Sequence, residues 1–160
     1  MYITFNEYVE LYGEIHQPLF NRLAYDACKY IDRYTTGADG LKKLKTYWPA
    51  DVGAVESVKR CTAEIIFILF QIQEAETSAS VGRGYEKTES GIRGKVVSSV
   101  AAGNESISYS AGSQITAIDA AVSDMAARDN LIFNTIRQDL SGVQDANGVN
   151  LLYMGVYPRV

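Results

Sequence analysis

The sequence predicts a mainly α fold: a small bundle of four to five helices, an inserted β-hairpin arm and an extended C-terminal tail. Three observations predict it. Apolar residues recur at three- and four-residue spacing in three long segments, beginning near Phe20, Val55 and Ile115. One serine-rich, almost uncharged stretch, VVSSVAAGNESISYSAGSQ from Val96 to Gln114, alternates in the manner of paired strands. The chain then finishes on an apolar run, VNLLYMGVYPRV, that lacks helical spacing. These readings divide a single domain, 1–160, into a bundle (4–76 and 113–141), a loop and arm (77–112) and a tail (142–160).

The first helix is announced by Thr4 and Glu7 at capping-box spacing, where each side chain satisfies the other's free backbone N–H. It should be short and stop at Gly13. The second opens near His16 with Pro18 in its first turn. It presents Phe20, Leu23, Ala24, Ala27, Ile31 and Tyr34 on one face and ends at Gly37. The following ADGLKKLKTYWPADVG reads as a loop whose Lys42, Lys43 and Lys45 are solvated, with Trp48 anchoring it to the bundle.

The third helix should run from about Asp51 to Glu76. Val55, Val58, Cys61, Thr62, Ile65, Leu69 and Ile72 form its stripe, and Ile66, Phe67, Ile68 and Phe70 widen it. A helix apolar almost all round belongs at a centre. Either its own chain wraps it or a second subunit helps.

The small, polar, glycine-rich TSASVGRGYEKTESGIRGK reads as an irregular loop. KVVSSV and ESISYS then form the hairpin, with Gly103 and Asn104 in its turn. An isolated hairpin is marginal in water, so Val97, Val100, Ile107 and Tyr109 should touch the bundle or a neighbouring chain. A fourth helical region follows from Ser113; Asp129 interrupts its period, which leaves one helix or two open, and Gly142 ends it. The tail side chains Leu151, Leu152, Tyr153, Met154, Val156 and Tyr157 either fold back onto the core or dock elsewhere.

Charge and chemistry narrow the function. The net charge of −4 disfavours wrapping nucleic acid. No apolar run reaches the length of a membrane span, and the N-terminus lacks the pattern of a signal peptide. Cys28 and Cys61 read as reduced thiols on helices rather than a disulfide. His16 is the sole histidine and precedes Pro18, a poor place for a catalytic base. The carboxylates Glu7, Glu10, Asp26, Asp32 and Glu64 read as solvated helix faces. GRGYEKTESGIRGK fails the P-loop spacing, with Val96 where magnesium needs Ser or Thr. No catalytic, cofactor or metal site is expected.

Four ordered stretches carry a likeness. MYITFNEYVELYG is an acidic, aromatic-rich opening helix closed by glycine. FNRLAYDACKYIDRYTTG matches a second-helix pattern RLA…A…YID…T.G. SSVAAGNESISYS is similar to a serine-rich strand pair, and NLLYMGV to a C-terminal GLLYRGV. In these the chain resembles the head–tail connector (adaptor, or head-completion) proteins of long-tailed bacteriophages. Gly82–Lys95 and Asp124–Leu140 are longer than in compact members, and Met154 stands where arginine is common. The resemblance implies a non-enzymatic structural protein of the virion neck, assembled in the host cytoplasm. It implies a homo-oligomeric, dodecameric ring between the portal protein and a downstream stopper or tail-terminator protein, with genomic DNA passing through its lumen without sequence-specific binding. Two rivals are a small helical regulatory protein-binding module and a metal-dependent hydrolase.

Overall fold

A computed structural model describes residues 1–82 and 116–158, and between them the backbone of four short strands; side chains are described at 1–77 and 116–158. The fold is mainly helical, as the sequence predicts. Its helices are α1 (Phe5–Tyr12), α2 (Gln17–Thr35), α3 (Lys43–Thr46), α4 (Val52–Gly82), α5 (Ala117–Ser123) and α6 (Met125–Leu140). On the backbone alone, β1 (Tyr85–Thr88) pairs antiparallel with β2 (Gly91–Gly94), and β3 (Ser99–Ala102) with β4 (Glu105–Ser108). Val97 and Tyr109 lie outside the described residues, as do the side chains of Val100 and Ile107 and whatever those strands pack against.

The chain divides into two compact units, Met1–Phe70 with Asn130–Val160, and Gln71–Asp129. In the first unit, α1 begins at the expected capping box. Glu7 N donates to Thr4 Oγ1 at 3.4 Å and Thr4 N donates to Glu7 Oε2 at 2.7 Å. The helix closes at Gly13, whose φ of 88° suits glycine. Glu7 also pairs with Lys59 of α4 at 2.6 Å, and that hydrogen bond, with those from Thr4, holds its carboxyl down to about 2. Helix α2 buries Phe20, Leu23, Ala24, Ala27, Ile31 and Thr35, the predicted face with Thr35 in place of the half-buried Tyr34.

Helix α4 is the centre of this unit. Val58, Cys61, Thr62, Ala63, Ile65 and Ile66 are fully buried, a spread too wide for a one-sided amphipathic helix. The chain covers it with its own helices. Tyr12 of α1 stacks on Phe67 at 4.8 Å, and α6 contributes buried Ile132, Thr135, Ile136 and Leu140. Cys61 is a free thiol facing Asp139 of α6, and Cys28 is free and half-buried. Asp51 starts α4 by accepting from Ala54 N at 2.9 Å. The helix continues to Gly82, past the expected end at Glu76. The apolar period fails there, but helix propagation adds one hydrogen bond per residue and needs no apolar face.

Three expectations are corrected. The break in the fourth helical region falls at Asp124 rather than Asp129. Asp124 is extended, at φ −135° and ψ 122°, and its Oδ1 accepts from Ala126 N at 2.9 Å, so it caps the helix that follows. Asp32 is not a solvated carboxylate: its side chain is 12% exposed, Lys45 pairs with it at 2.8 Å and the Tyr2 hydroxyl donates to it. Trp48 stacks on the same Tyr2 at 5.5 Å, which anchors its loop as expected. Lys43, expected in water, is fully buried.

In the second unit, Thr116 and Asp119 form another capping box at the start of α5. Arg128 ties this unit together, with Nη2 on Glu76 at 2.5 Å and Nε donating to the Ala121 carbonyl at 3.1 Å.

Asp139 carries a prediction. Its Oδ2 is buried without a hydrogen-bond partner, and burial pushes its carboxyl up, against the lowering effects of the Cys61 thiol and Arg60. Burial, then the Asp139 charge, also pushes up Glu64. With a folded pKa above its unfolded value, Asp139 becomes a net cost as pH rises through the carboxylate range. Asp139→Asn is therefore expected to stabilise the protein at pH 7.5 by roughly 0.5–1 kcal/mol in urea unfolding. The gain should shrink as pH falls through the carboxylate range; a gain that is constant with pH would contradict this origin.

Candidate interaction surface

The feature that orders an otherwise irregular part of the chain is the path of residues 143–158. After α6, Gly142 turns the backbone at φ 80°. The chain then folds on itself through an isolated bridge between Gln144 and Asn150 and a bond from Leu151 N to the Val143 carbonyl at 2.9 Å. Asp145 shapes the turn: its Oδ1 accepts from Asn147 N at 2.9 Å and Val149 N at 3.0 Å, and Gly148 sits at φ 75°.

This strap lies on the connector between α2 and α4. Lys43 meets it from beneath. Its ammonium donates to the carbonyls of Asn150 at 3.3 Å and Leu151 at 2.9 Å, and also to that of Tyr153. The three protons of the ammonium thus have three acceptors. The ring of Tyr153 stands 5.8 Å from the same nitrogen, a cation–π distance. Burial pushes the Lys43 pKa down, and Asp145 and Asp39 oppose that shift by their charge.

Further ties bind the far end. Ala38 N donates to the Gly155 carbonyl at 3.2 Å, and Tyr157 N donates to Asp39 Oδ2 at 3.2 Å. The Gly155 carbonyl would lie 3.0 Å from a Cβ at position 37, so glycine there lets the strap approach. The Tyr157 hydroxyl donates to Asp145 Oδ2 at 2.7 Å and accepts from Asn147 Nδ2 at 3.1 Å. Its ring stacks on Tyr47 at 4.9 Å. Burial first, then the Asp145 bond, pushes the phenol up to about 12.

The strap therefore splits the predicted tail residues. Leu151 and Tyr157 are core, Leu152 is half-buried, and Tyr153, Met154 and Val156 are 46%, 56% and 67% exposed. Of the two paths left open by the sequence, the tail takes the one back onto its own bundle, yet it leaves a short apolar run facing outward. Lys43, Asp39 and Asp145 were not legible as parts of this arrangement. Their partners are main-chain groups and a hydroxyl, and no spacing in the sequence announces them.

Among the described residues no group of three or more His, Cys, Asp or Glu side chains is placed to hold a metal ion. An open depression of about 400 Å³ beside the start of α4 is lined by Asp51, Ser57, Ser141, Gln144 and Asp145 among others. The two acids are occupied as helix and turn caps, and Ser57 donates to the Gly53 carbonyl at 2.9 Å. Among the described residues, no helix is long and apolar enough to cross a membrane. Comparison with protein-family models, curated proteins and solved structures gave no match.

Proposed function

We propose that this chain is a head–tail connector subunit of a long-tailed bacteriophage. In this reading it assembles as a homo-oligomeric, dodecameric ring, joins the portal protein to a downstream stopper or tail-terminator protein, and lets the genome pass through its lumen. The observation that carries the reading is the strap. An exposed apolar run, Tyr153 to Val156, is held in a fixed backbone path by Lys43, Asp39 and Ala38. Fixing the path in advance lowers the ordering cost of binding a neighbour. The run lies within the NLLYMGV stretch that carries part of the family likeness.

Two features of the sequence support the same reading. The serine-rich arm, with Val97, Val100, Ile107 and Tyr109, suits the addition of strands to a neighbour, since serine pairs locally and little charge must be desolvated. A net charge of −4 suits a channel wall along which DNA slides without adhering. The test is solution mass with and without a purified portal protein. The connector reading predicts either a ring of twelve chain masses or its formation on adding portal. A small discrete oligomer indifferent to portal indicates the regulatory binding module instead.

A further inference from the structure

We infer that residues 143–158 are a strap that opens as a unit, latched by Lys43, and that opening it uncovers Leu151 and Tyr157 while the helices stay folded. The inference does not depend on the ring.

Several observations converge on it. The strap has no helix and no ladder of its own beyond the Gln144–Asn150 bridge. Its fully or nearly buried large apolar side chains are Leu151 and Tyr157, whereas α2, α4 and the described core of α6 share a much larger buried set. Segments with few buried apolar contacts open at lower free energy than the core they cover. Gly142, at φ 80°, separates the strap from α6 and supplies a point about which it can swing.

The chemistry of the latch points the same way. A buried ammonium bound to neutral carbonyls has surrendered its hydration without a directly bonded carboxylate. When the strap lifts, water solvates both the ammonium and the three carbonyls, so the polar part of the contact is largely recovered. The charged groups around the latch, Asp39 and Asp145, keep partners on either side: Asp39 retains the Leu41 amide at 3.1 Å, and Asp145 retains its own turn. The two states then differ in the burial of Leu151, Tyr157 and the Tyr153 ring, in the Tyr47–Tyr157 stack, and in the bonds from Ala38 N to the Gly155 carbonyl and from Tyr157 N to Asp39, whose groups water can also solvate. Opening converts an outward run of three side chains into a longer apolar segment that also offers Leu151 and Tyr157.

Lysine acylation on the intact chain tests this. The protein is treated with an N-hydroxysuccinimide acetyl ester across a series of urea concentrations below the unfolding transition, and Lys42 and Lys43 are followed by peptide mass spectrometry. Exposed Lys42 serves as the reference. The expected result is that Lys43 reacts at least roughly tenfold more slowly than Lys42, at a rate nearly independent of urea, the behaviour of a small local opening. A Lys43 rate that climbs with urea as steeply as global unfolding, or one that equals Lys42, overturns the inference. Lys43→Met provides a second reading by hydrogen exchange. The amides of Ala38 and Tyr157, whose bonds cross between strap and bundle, should lose at least roughly tenfold protection while those of Ala27 and Ile31 keep theirs; equal loss in strap and α2 overturns the latch.

Discussion

If the chain is the connector proposed above, replacing Met154 and Val156 together with glutamate is expected to abolish ring formation and portal-dependent assembly while leaving the fold intact. Both side chains are exposed, at 56% and 67%, and neither supplies a bond to the latch. Surface substitutions of this kind usually change stability by within about 0.5 kcal/mol each. At an interface the same change buries two charges with no partner, which costs several kcal/mol, enough to remove measurable assembly at micromolar concentration. The check is solution mass beside a melting curve. Lost assembly with an unchanged melting temperature is the predicted pair. Retained assembly would place the contact elsewhere on the chain. Deleting Leu151 to Val160 is a poorer probe, because it also removes Leu151 and Tyr157 from the core. Tyr153 is left in place because its ring lies over Lys43.

Ile66→Ala should produce the largest loss of stability. Ile66 and its neighbour Ile65 are both fully buried, although adjacent residues point about 100° apart around a helix. That is the mark of a helix enclosed on several sides, where a truncated side chain leaves a cavity that little can collapse into. The expected loss is about 2–5 kcal/mol in urea unfolding. Because α1, α2 and residues 130–140 of α6 of the same chain belong to the unit that encloses this part of α4, the loss should be independent of protein concentration. A loss that grows on dilution would mean that a second subunit completes the core.

The helices were legible because their signals are local. Thr4 and Glu7 stand three residues apart and form the capping box they predict. Phe20 to Ile31 keep one face by spacing alone, and Gly13 and Gly142 stop helices because a positive φ suits them. The apolar breadth of α4 likewise shows in its composition. What the sequence concealed depends on groups far apart in the chain. The lysines at 42, 43 and 45 look alike, and only the carbonyls of residues more than a hundred positions later decide that Lys43 is the buried one. Asp145 meets Tyr157 through a turn whose shape Asp145 itself sets. The break at Asp124 was misplaced because Asp124 and Asp129 are equally plausible helix caps, and backbone geometry alone chooses between them. As for the candidate surface, the sequence marked the tail as apolar but could not divide it into Leu151 and Tyr157 inside and Tyr153, Met154 and Val156 outside.

The most direct measurement is electron microscopy of the chain assembled with purified portal protein, with axial views averaged without imposed symmetry. The proposed connector role predicts a closed twelve-fold ring around an open channel, continuous with the portal's own. Compact single particles with no channel, unaffected by the portal, would contradict the account.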